Sequence, residues 1–99
     1  MEKNHLLDWA LAKVVKDARE AKGLTQGQLA GFAGLSEAYL SRLECGEKGA
    51  SLDALTQLAV PLGIKPSEIM RRIEEELERG PQEPPRKQGR PRKEARSQS

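Results

Sequence analysis

Apolar residues recur three and four positions apart along most of the chain, which is the spacing of one buried face on an α-helix. Four shorter stripes follow the first, and the last of them lies at residues 66–79. Runs of β-branched residues are missing, so the pattern predicts an all-α fold with five helices. The first stripe lies within residues 6–21 and comprises Leu7, Ala10, Leu11, Val14, Val15 and Ala18.

Hydroxyl and glycine residues mark where these helices begin and end. Thr25, Ser36 and Ser51 each precede an apolar stripe. A side-chain oxygen at that place accepts a hydrogen bond from an otherwise unpaired backbone N–H. Gly34 supplies the positive φ that a tight turn after the second helix requires, and Gly46 is placed to end the third helix.

Two prolines shape the fourth and fifth helices. Pro61 lacks the N–H that a continuing helix requires, so we expect the fourth helix to end early or kink. Pro66 occupies a natural first position for the fifth helix. The predicted buried face of the fourth helix comprises Leu52, Leu55, Leu58 and Ala59.

The composition allows one modest domain, which we assign to residues 1–80. Only 36% of the 99 residues are hydrophobic, enough for one core and too few for a large substrate cleft. No spacing of histidine, cysteine and carboxylate residues suits a metal, and no loop suits a phosphate cradle, so we expect no enzyme and no cofactor. Short apolar runs and a single cysteine predict a cytoplasmic, nucleoid-associated protein.

Charge is distributed unevenly along the chain. Residues 81–99 carry six basic residues against two acidic ones, a net charge of +4, which leaves −2 for residues 1–80 because the whole chain carries +2. This segment has too few apolar residues to offset the entropy of ordering, so it is predicted to be a disordered basic tail. Such a tail suits a polyanion such as nucleic acid, and a purely solubilising role is the alternative.

Residues 26–45, QGQLAGFAGLSEAYLSRLEC, hold the most informative spacing in the chain. Ala30 is small where two helices must approach closely, and Gly34 permits the turn between them. The informative pieces are GLTQGQLA at 23–30, GLS at 34–36, YLSRLECG at 39–46, SLDALTQLA at 51–59 and LGIKPSEIM at 62–70. In this order they resemble the lambda-repressor-like helix-turn-helix domains of the Cro/CI (Xre) type. The resemblance implies a compact five-helix bundle with the helix-turn-helix at the second and third helices.

The resemblance also implies that the third helix lies in the major groove of double-stranded DNA. The side chains that would read base edges there are Ser36, Glu37, Ala38, Ser41 and Arg42. Arg42 suits the O6 and N7 acceptors of guanine, Glu37 a cytosine amino group and Ala38 a thymine methyl group. Glu37 has an alternative role as a helix N-terminal acid, and Arg42 as a phosphate contact or a plain surface residue.

Four further residues are candidates for contact with the DNA backbone: Thr25, Gln26, Tyr39 and Lys48. The resemblance implies that Gln26 and the adjacent backbone amides grip a phosphate at the start of the second helix. Lys48 lies in the loop after the third helix, where the neighbouring Glu47 opposes a polyanion. Tyr39 is interpreted as a packing residue rather than a base-stacking one, since duplex readers need no stacking platform.

Arg19 and Glu44 match two positions that pair in the family and tie the first helix to the third. Their implied role is structural, because loss of one partner of a partly buried pair is costly. Cys45 is interpreted as an inert thiol, with a redox switch as the alternative.

The tail contains Gly89-Arg90-Pro91, which resembles the core of an AT-hook, although Gln88 stands where a full hook has arginine. Three roles are open to the tail, in order of preference: nonspecific attraction to phosphates, reading of an A·T-rich minor groove, and solubility. Its candidate DNA contacts are Arg86, Lys87, Arg90, Arg92 and Lys93.

A single domain of this kind covers about half of a two-fold operator, so we expect a homodimer. The helix at 66–79 is the predicted dimer surface, through Ile69, Ile73 and Leu77. Ile69 and Met70 are also expected in the core, so the dimer prediction depends on Ile73 and Leu77. Two alternatives involve the first helix: its apolar residues could pack over this stripe, or they could form a dimer contact of their own. These residues are Leu6, Leu7 and Trp9.

The sequence therefore predicts a sequence-specific, double-stranded DNA-binding transcriptional regulator, a repressor or autoregulator acting as a dimer on a palindromic operator. The alternative is a protein-interaction module of antitoxin or anti-repressor type built on the same fold. The slightly acidic domain and Glu37 on the reading face favour this alternative, whereas Arg42, Gln26 and the basic tail favour DNA.

Overall fold

The computed structural model describes residues 5–79, so the basic tail predicted at 81–99 lies outside the described residues. Five helices follow one another within that range, and it contains no strand. The all-α, five-helix prediction is confirmed. The helices are α1 (His5–Ala21), α2 (Gln26–Ala33), α3 (Glu37–Glu44), α4 (Leu52–Leu62) and α5 (Pro66–Glu78).

Three helices begin at the capping residues that the sequence predicts. The Gln28 N–H donates to Thr25 Oγ1 at 3.0 Å, and the Thr25 N–H donates to Gln28 Oε1 at 2.9 Å, which is a complete capping box. The Oγ atoms of Ser36 and Ser51 each accept a hydrogen bond of 3.0 Å from the backbone N–H three residues ahead. Each cap of this kind stabilises its helix by about 1 kcal/mol.

The fourth helix runs through its proline, so the expected early end is wrong. Pro61 lies in the last turn of α4, which continues to Leu62. Gly63 then ends the helix in the left-handed conformation, with φ of 73° and its N–H bonded to carbonyls of the last turn. A proline at this place removes one hydrogen bond next to an end that Gly63 already closes, so the helix tolerates it.

The core lies between α1 and the four helices that follow it. α1 packs against α3 and α5, α2 packs against α3 and α4, and α4 also packs against α5. Each fully buried leucine or isoleucine in this core contributes roughly 1.5–3 kcal/mol from removal of its surface from water. The largest side chains with almost no exposed surface are Leu29, Leu40, Leu43, Leu58, Ile69 and Val15.

This packing corrects several predictions about which residues are buried. Leu52 is the first residue of α4 and is 78% exposed, so only the other three members of its predicted face are buried. On α5, Ile73 is 2% exposed and joins Ile69 in the core, where neither is accessible to a second copy of the chain. Met70, expected in the core, is exposed, as is Leu77.

No helix within residues 5–79 has the length and apolar character needed to cross a membrane. In the same part of the chain, no three histidine, cysteine or carboxylate side chains converge in a way that could hold a metal ion.

Candidate nucleic-acid interface

The α2–turn–α3 unit is held rigidly by the core. Gly34 ends α2 with φ of 75°, which lets the chain reverse into α3 within three residues. Leu29, Ala30 and Ala33 bury the inner face of α2, and Leu40 buries that of α3. α4 secures the end of α2 as well, because Gln57 Nε2 donates to the Ala33 carbonyl at 3.1 Å.

The predicted base-reading residues occupy the outer side of α3 and its cap. Ser36, Glu37, Ala38 and Arg42 are exposed, whereas Ser41 is half-buried. One shallow depression, with a volume of about 370 Å³, brings part of this set together with two of the predicted phosphate contacts. It is lined by Ser36, Ala38, Tyr39, Arg42 and Lys48.

Glu37 does not line this depression. Its carboxylate lies alongside the first turn of α2, with Oε1 3.4 Å from the position that a Cβ on Gly27 would occupy. The Glu37 side chain forms no hydrogen bond or ion pair with another residue within residues 5–79. The absence of a side chain at Gly27 therefore gives this carboxylate room between α2 and α3.

Gln26 is engaged within the protein rather than projecting freely toward a phosphate. Its Nε2 donates to Glu44 Oε1 at 3.0 Å. The backbone N–H groups of Gln26 and Gly27 have no acceptor inside α2, because the first N–H groups of a helix lack a preceding turn. Thr25 uses its hydroxyl for Gln28, which leaves those two amides as the groups that the start of α2 offers to an anion.

A buried network fixes α3 against α1 and α2. Arg19 donates to both carboxylate oxygens of Glu44, from Nε at 2.8 Å and from Nη2 at 3.0 Å, and its Nη1 donates to the Leu24 carbonyl at 2.7 Å. The hydrogen bond with Glu44 raises the pKa of the Arg19 guanidinium. With Gln26 on the same carboxylate, three helices meet at Glu44, whose side chain is 3% exposed.

Tyr39 and Lys48 form a contact that the sequence did not predict. The Lys48 Nζ lies 4.5 Å from the centroid of the Tyr39 ring, within the range of a cation–π interaction. The two residues are nine positions apart across the end of α3, so the contact does not follow from the spacing of residues along a helix. The ring holds the lysine beside Arg42, and both basic groups therefore face the same depression.

Cys45 is the C-cap of α3 and is exposed. Its position at the end of the helix, beyond the buried Leu43, leaves the thiol outside the core.

A family model described as a helix-turn-helix domain matches residues 10–71. This match spans more than half of the chain and includes all of α2, α3 and α4. The chain belongs to the helix-turn-helix domain family. The curated relatives of this helix-turn-helix protein include the uncharacterized HTH-type transcriptional regulator y4dJ of Sinorhizobium fredii. It is 38% identical over 52 residues, which are 52% of this chain and 68% of the relative.

Solved structures of other helix-turn-helix proteins share the fold. The clp gene regulator ClgR from Corynebacterium glutamicum is 29% identical, with a TM-score of 0.68, over 73% of this chain and 77% of its own. The restriction-modification controller protein C.AhdI from Aeromonas hydrophila is 34% identical, with a TM-score of 0.61, over 63% of this chain and 94% of its own. The wild-type controller C.Esp1396I, at 23% identity and a TM-score of 0.70, supports the fold alone.

These similarities confirm the Cro/CI-type resemblance noted in the sequence and the prediction that the protein is not an enzyme. The helix-turn-helix protein is a DNA-binding regulator.

Proposed function

We propose that the protein is a homodimeric repressor or autoregulator that binds a palindromic operator, with α3 in the major groove of each half-site. The observation that carries this proposal is the depression on α3, where Arg42 and Lys48 lie beside the small side chains of Ser36 and Ala38. Small residues next to two cations suit close approach to a base edge and its phosphate. The relatives named as transcriptional regulators and controllers support the same class of function.

Base reading is assigned chiefly to Arg42. It is exposed on the second turn of α3, and its planar guanidinium can donate to guanine O6 and N7 together. Ala38 suits a thymine methyl group, and Ser36 and Ser41 supply hydroxyl groups for nearby base edges. Glu37 would reach a cytosine amino group only after leaving the side of α2, so its contribution depends on a rotation of its side chain.

Phosphate binding is assigned to both ends of the helix-turn-helix. At the start of α2, the free N–H groups of Gln26 and Gly27 and the positive end of the helix dipole suit one phosphate. The capping box of Thr25 stabilises the first turn of α2, which presents these amides. At the other end, Lys48 lies against the Tyr39 ring at the edge of the depression and suits a second phosphate.

A second copy of the chain would supply the other half-site. Met70 and Leu77 are both exposed on α5 and stand seven positions apart, which puts them on one side of the helix. Leu6 and Leu7 add exposed apolar surface on α1, which packs against α5. Of the three residues that the sequence predicts for this surface, the proposal keeps Leu77, since Ile69 and Ile73 are in the core.

The basic tail would supply attraction that the domain itself lacks. Residues 1–80 carry a net charge of −2, which repels a polyanion, whereas residues 81–99 carry +4. The proposed tail contacts are phosphates, which add affinity that depends on salt and carry little sequence information. They would be made by Arg86, Lys87, Arg90, Arg92 and Lys93.

Selection from random duplex DNA at near-physiological salt tests the proposal. We expect the purified protein to enrich a palindromic motif with half-sites about one helical turn apart. In Arg42→Ala, discrimination at one base pair in each half-site should fall by about 1–3 kcal/mol. Arg79→Ala, which removes the same charge at the end of α5, should leave that preference intact. Recovery of unenriched DNA by the wild type would refute the proposal and favour a protein partner for the same face.

A further inference from the structure

The contact between Lys48 and Tyr39 differs from the other interactions of basic residues in the domain. Arg19, Arg71, Arg72, Arg79 and Lys13 each form an ion pair, but Lys48 has none within residues 5–79. Its ammonium group instead lies 4.5 Å from the centre of an aromatic ring. The face of such a ring carries partial negative charge, which attracts a cation without neutralising it as a carboxylate would.

The ring is held by the helix that carries it. Tyr39 lies in the first turn of α3, and its own backbone N–H donates to Ser36 Oγ at 3.0 Å. The side chain is half-buried and packs against the edge of the core. Lys48 belongs to the loop between α3 and α4, where a lysine side chain would otherwise move freely. The ring therefore gives the lysine a fixed place at the edge of the depression.

A lysine that is already in place loses less side-chain entropy when it meets a phosphate. The cation remains available, because the ring contacts one side of the ammonium group and leaves its other N–H donors free. Arg42 lines the same depression, so the two cations are presented together to one stretch of DNA backbone and base edge.

We propose that Tyr39 is a positioning residue for DNA binding that acts through Lys48. This role rests on the proposed DNA-binding function and deepens it. It assigns the positioning of Lys48 to the aromatic ring of Tyr39 rather than to its phenolic hydroxyl. Tyr39→Leu should weaken binding to duplex DNA by about two- to five-fold, the effect of one exposed cation–π contact. Tyr39→Phe keeps the ring and should rescue the affinity.

A double-mutant cycle with Lys48→Met separates positioning from a direct contact. Lys48→Met should make the dependence of log affinity on log salt shallower by about one phosphate contact. In that background, Tyr39→Leu should cause no further loss on a random-sequence duplex or on a selected operator. Equal losses from Tyr39→Leu with and without Lys48 would overturn the proposal, as would a loss in Tyr39→Phe that matches the loss in Tyr39→Leu.

A measurement without DNA keeps this role distinct from the proposed function. In the free protein, the Lys48 side-chain protons beside the ring should show a ring-current shift in NMR spectra, which Tyr39→Phe retains and Tyr39→Leu removes. Circular dichroism checks that each variant is folded, and Tyr39→Met, with an adaptable side chain, replaces Tyr39→Leu if leucine lowers the folded fraction. A wild-type protein that binds no duplex would refute the proposed function, whereas additive losses in a binding protein overturn only the role of Tyr39.

Discussion

Arg19 on α1 grips the carboxylate of Glu44, the last residue of α3, through two hydrogen bonds of 2.8 and 3.0 Å. Their side chains are 12% and 3% exposed, so the pair is largely shielded from water. Gln26 on α2 donates to the same carboxylate. Contacts from α1 and α2 at Glu44 therefore set the angle of α3 together. A variant at this pair changes both folding and the presentation of α3, so stability must be measured before any effect on DNA binding is interpreted.

Arg19→Ala should lower the free energy of unfolding by about 3 kcal/mol, because it leaves the buried Glu44 carboxylate without its charged partner. Urea unfolding followed by circular dichroism measures this loss. Lys13→Ala is the matched control, since it breaks an exposed pair with Asp17 one turn apart and should cost less than ~0.5 kcal/mol. Similar losses in the two variants would show that burial does not distinguish these pairs.

Two glycines of the helix-turn-helix should respond to alanine in opposite directions. Gly31 lies inside α2 with nothing within 4 Å of the position that a Cβ would occupy, so Gly31→Ala should stabilise the protein by about 0.5–1 kcal/mol through helix propensity. Gly34 has φ of 75°, so Gly34→Ala should destabilise it by about 1–2 kcal/mol. Thermal unfolding of both variants checks the signs, and a stabilising Gly34→Ala would contradict the left-handed turn.

Glu68 should make α5 sensitive to acid. Hydrogen bonds from Arg71 and, to a smaller extent, from Arg72 lower the pKa of Glu68 from 4.5 to about 2. The unfolded chain therefore takes up this proton first, so the stabilising contribution is complete above pH 4.5 and is lost as the pH falls to about 2. Urea unfolding between these pH values should show a smaller decline for Glu68→Gln than for the wild type.

The control for this acid response is Glu78→Gln, which changes a glutamate of the same helix that has no ion pair within residues 5–79. Its stability should follow the pH dependence of the wild type. If the two glutamine variants respond alike, the arginine contacts of Glu68 are not the cause.

Leu77→Glu should shift the proposed dimer toward monomers. Leu77 is 41% exposed on the same side of α5 as Met70, and a charge there would have to be buried against the second copy. Sedimentation velocity over a range of protein concentrations measures the change. Leu52→Glu adds the same charge at a leucine of α4 that is 78% exposed, and should leave the association unchanged. A dimer disrupted by Leu52→Glu alone would relocate the interface to α4.

Removal of residues 81–99 should make DNA binding less dependent on salt. The segment carries six basic residues, and each phosphate contact that it makes contributes about 0.9 to the slope of log affinity against log salt. Binding titrations at several salt concentrations give this slope for the full chain and the truncated one. The preferred sequence should be retained, and a changed preference would show that the tail reads DNA itself.

The local features of this fold were accessible from sequence because they depend on neighbouring residues. Thr25, Ser36 and Ser51 cap helices through bonds to amides three positions ahead, and Gly34 meets a requirement of its own backbone. Such rules operate within one turn of chain. They were sufficient to locate α2 and α3, and hence the exposed side of α3.

Features that depend on packing between distant helices were predicted less well. The stripe on α5 correctly suggested an apolar face, but periodicity alone could not show that Ile73 lies in the core while Leu77 does not. Pro61 does not decide where α4 ends, because Gly63 closes the helix two residues later. The bond from Gln26 to Glu44 spans 18 positions and has no local signature.

Cys45, the chain's one cysteine, lies exposed at the end of α3. A single spin label or fluorophore can therefore be attached to the helix proposed to enter DNA, with no second thiol to remove first. On an operator whose half-sites are one turn apart, two such labels would stand on the order of 34 Å from each other. The thiol thus makes each copy of α3 a marker from which the spacing of the assembled pair can be read in solution.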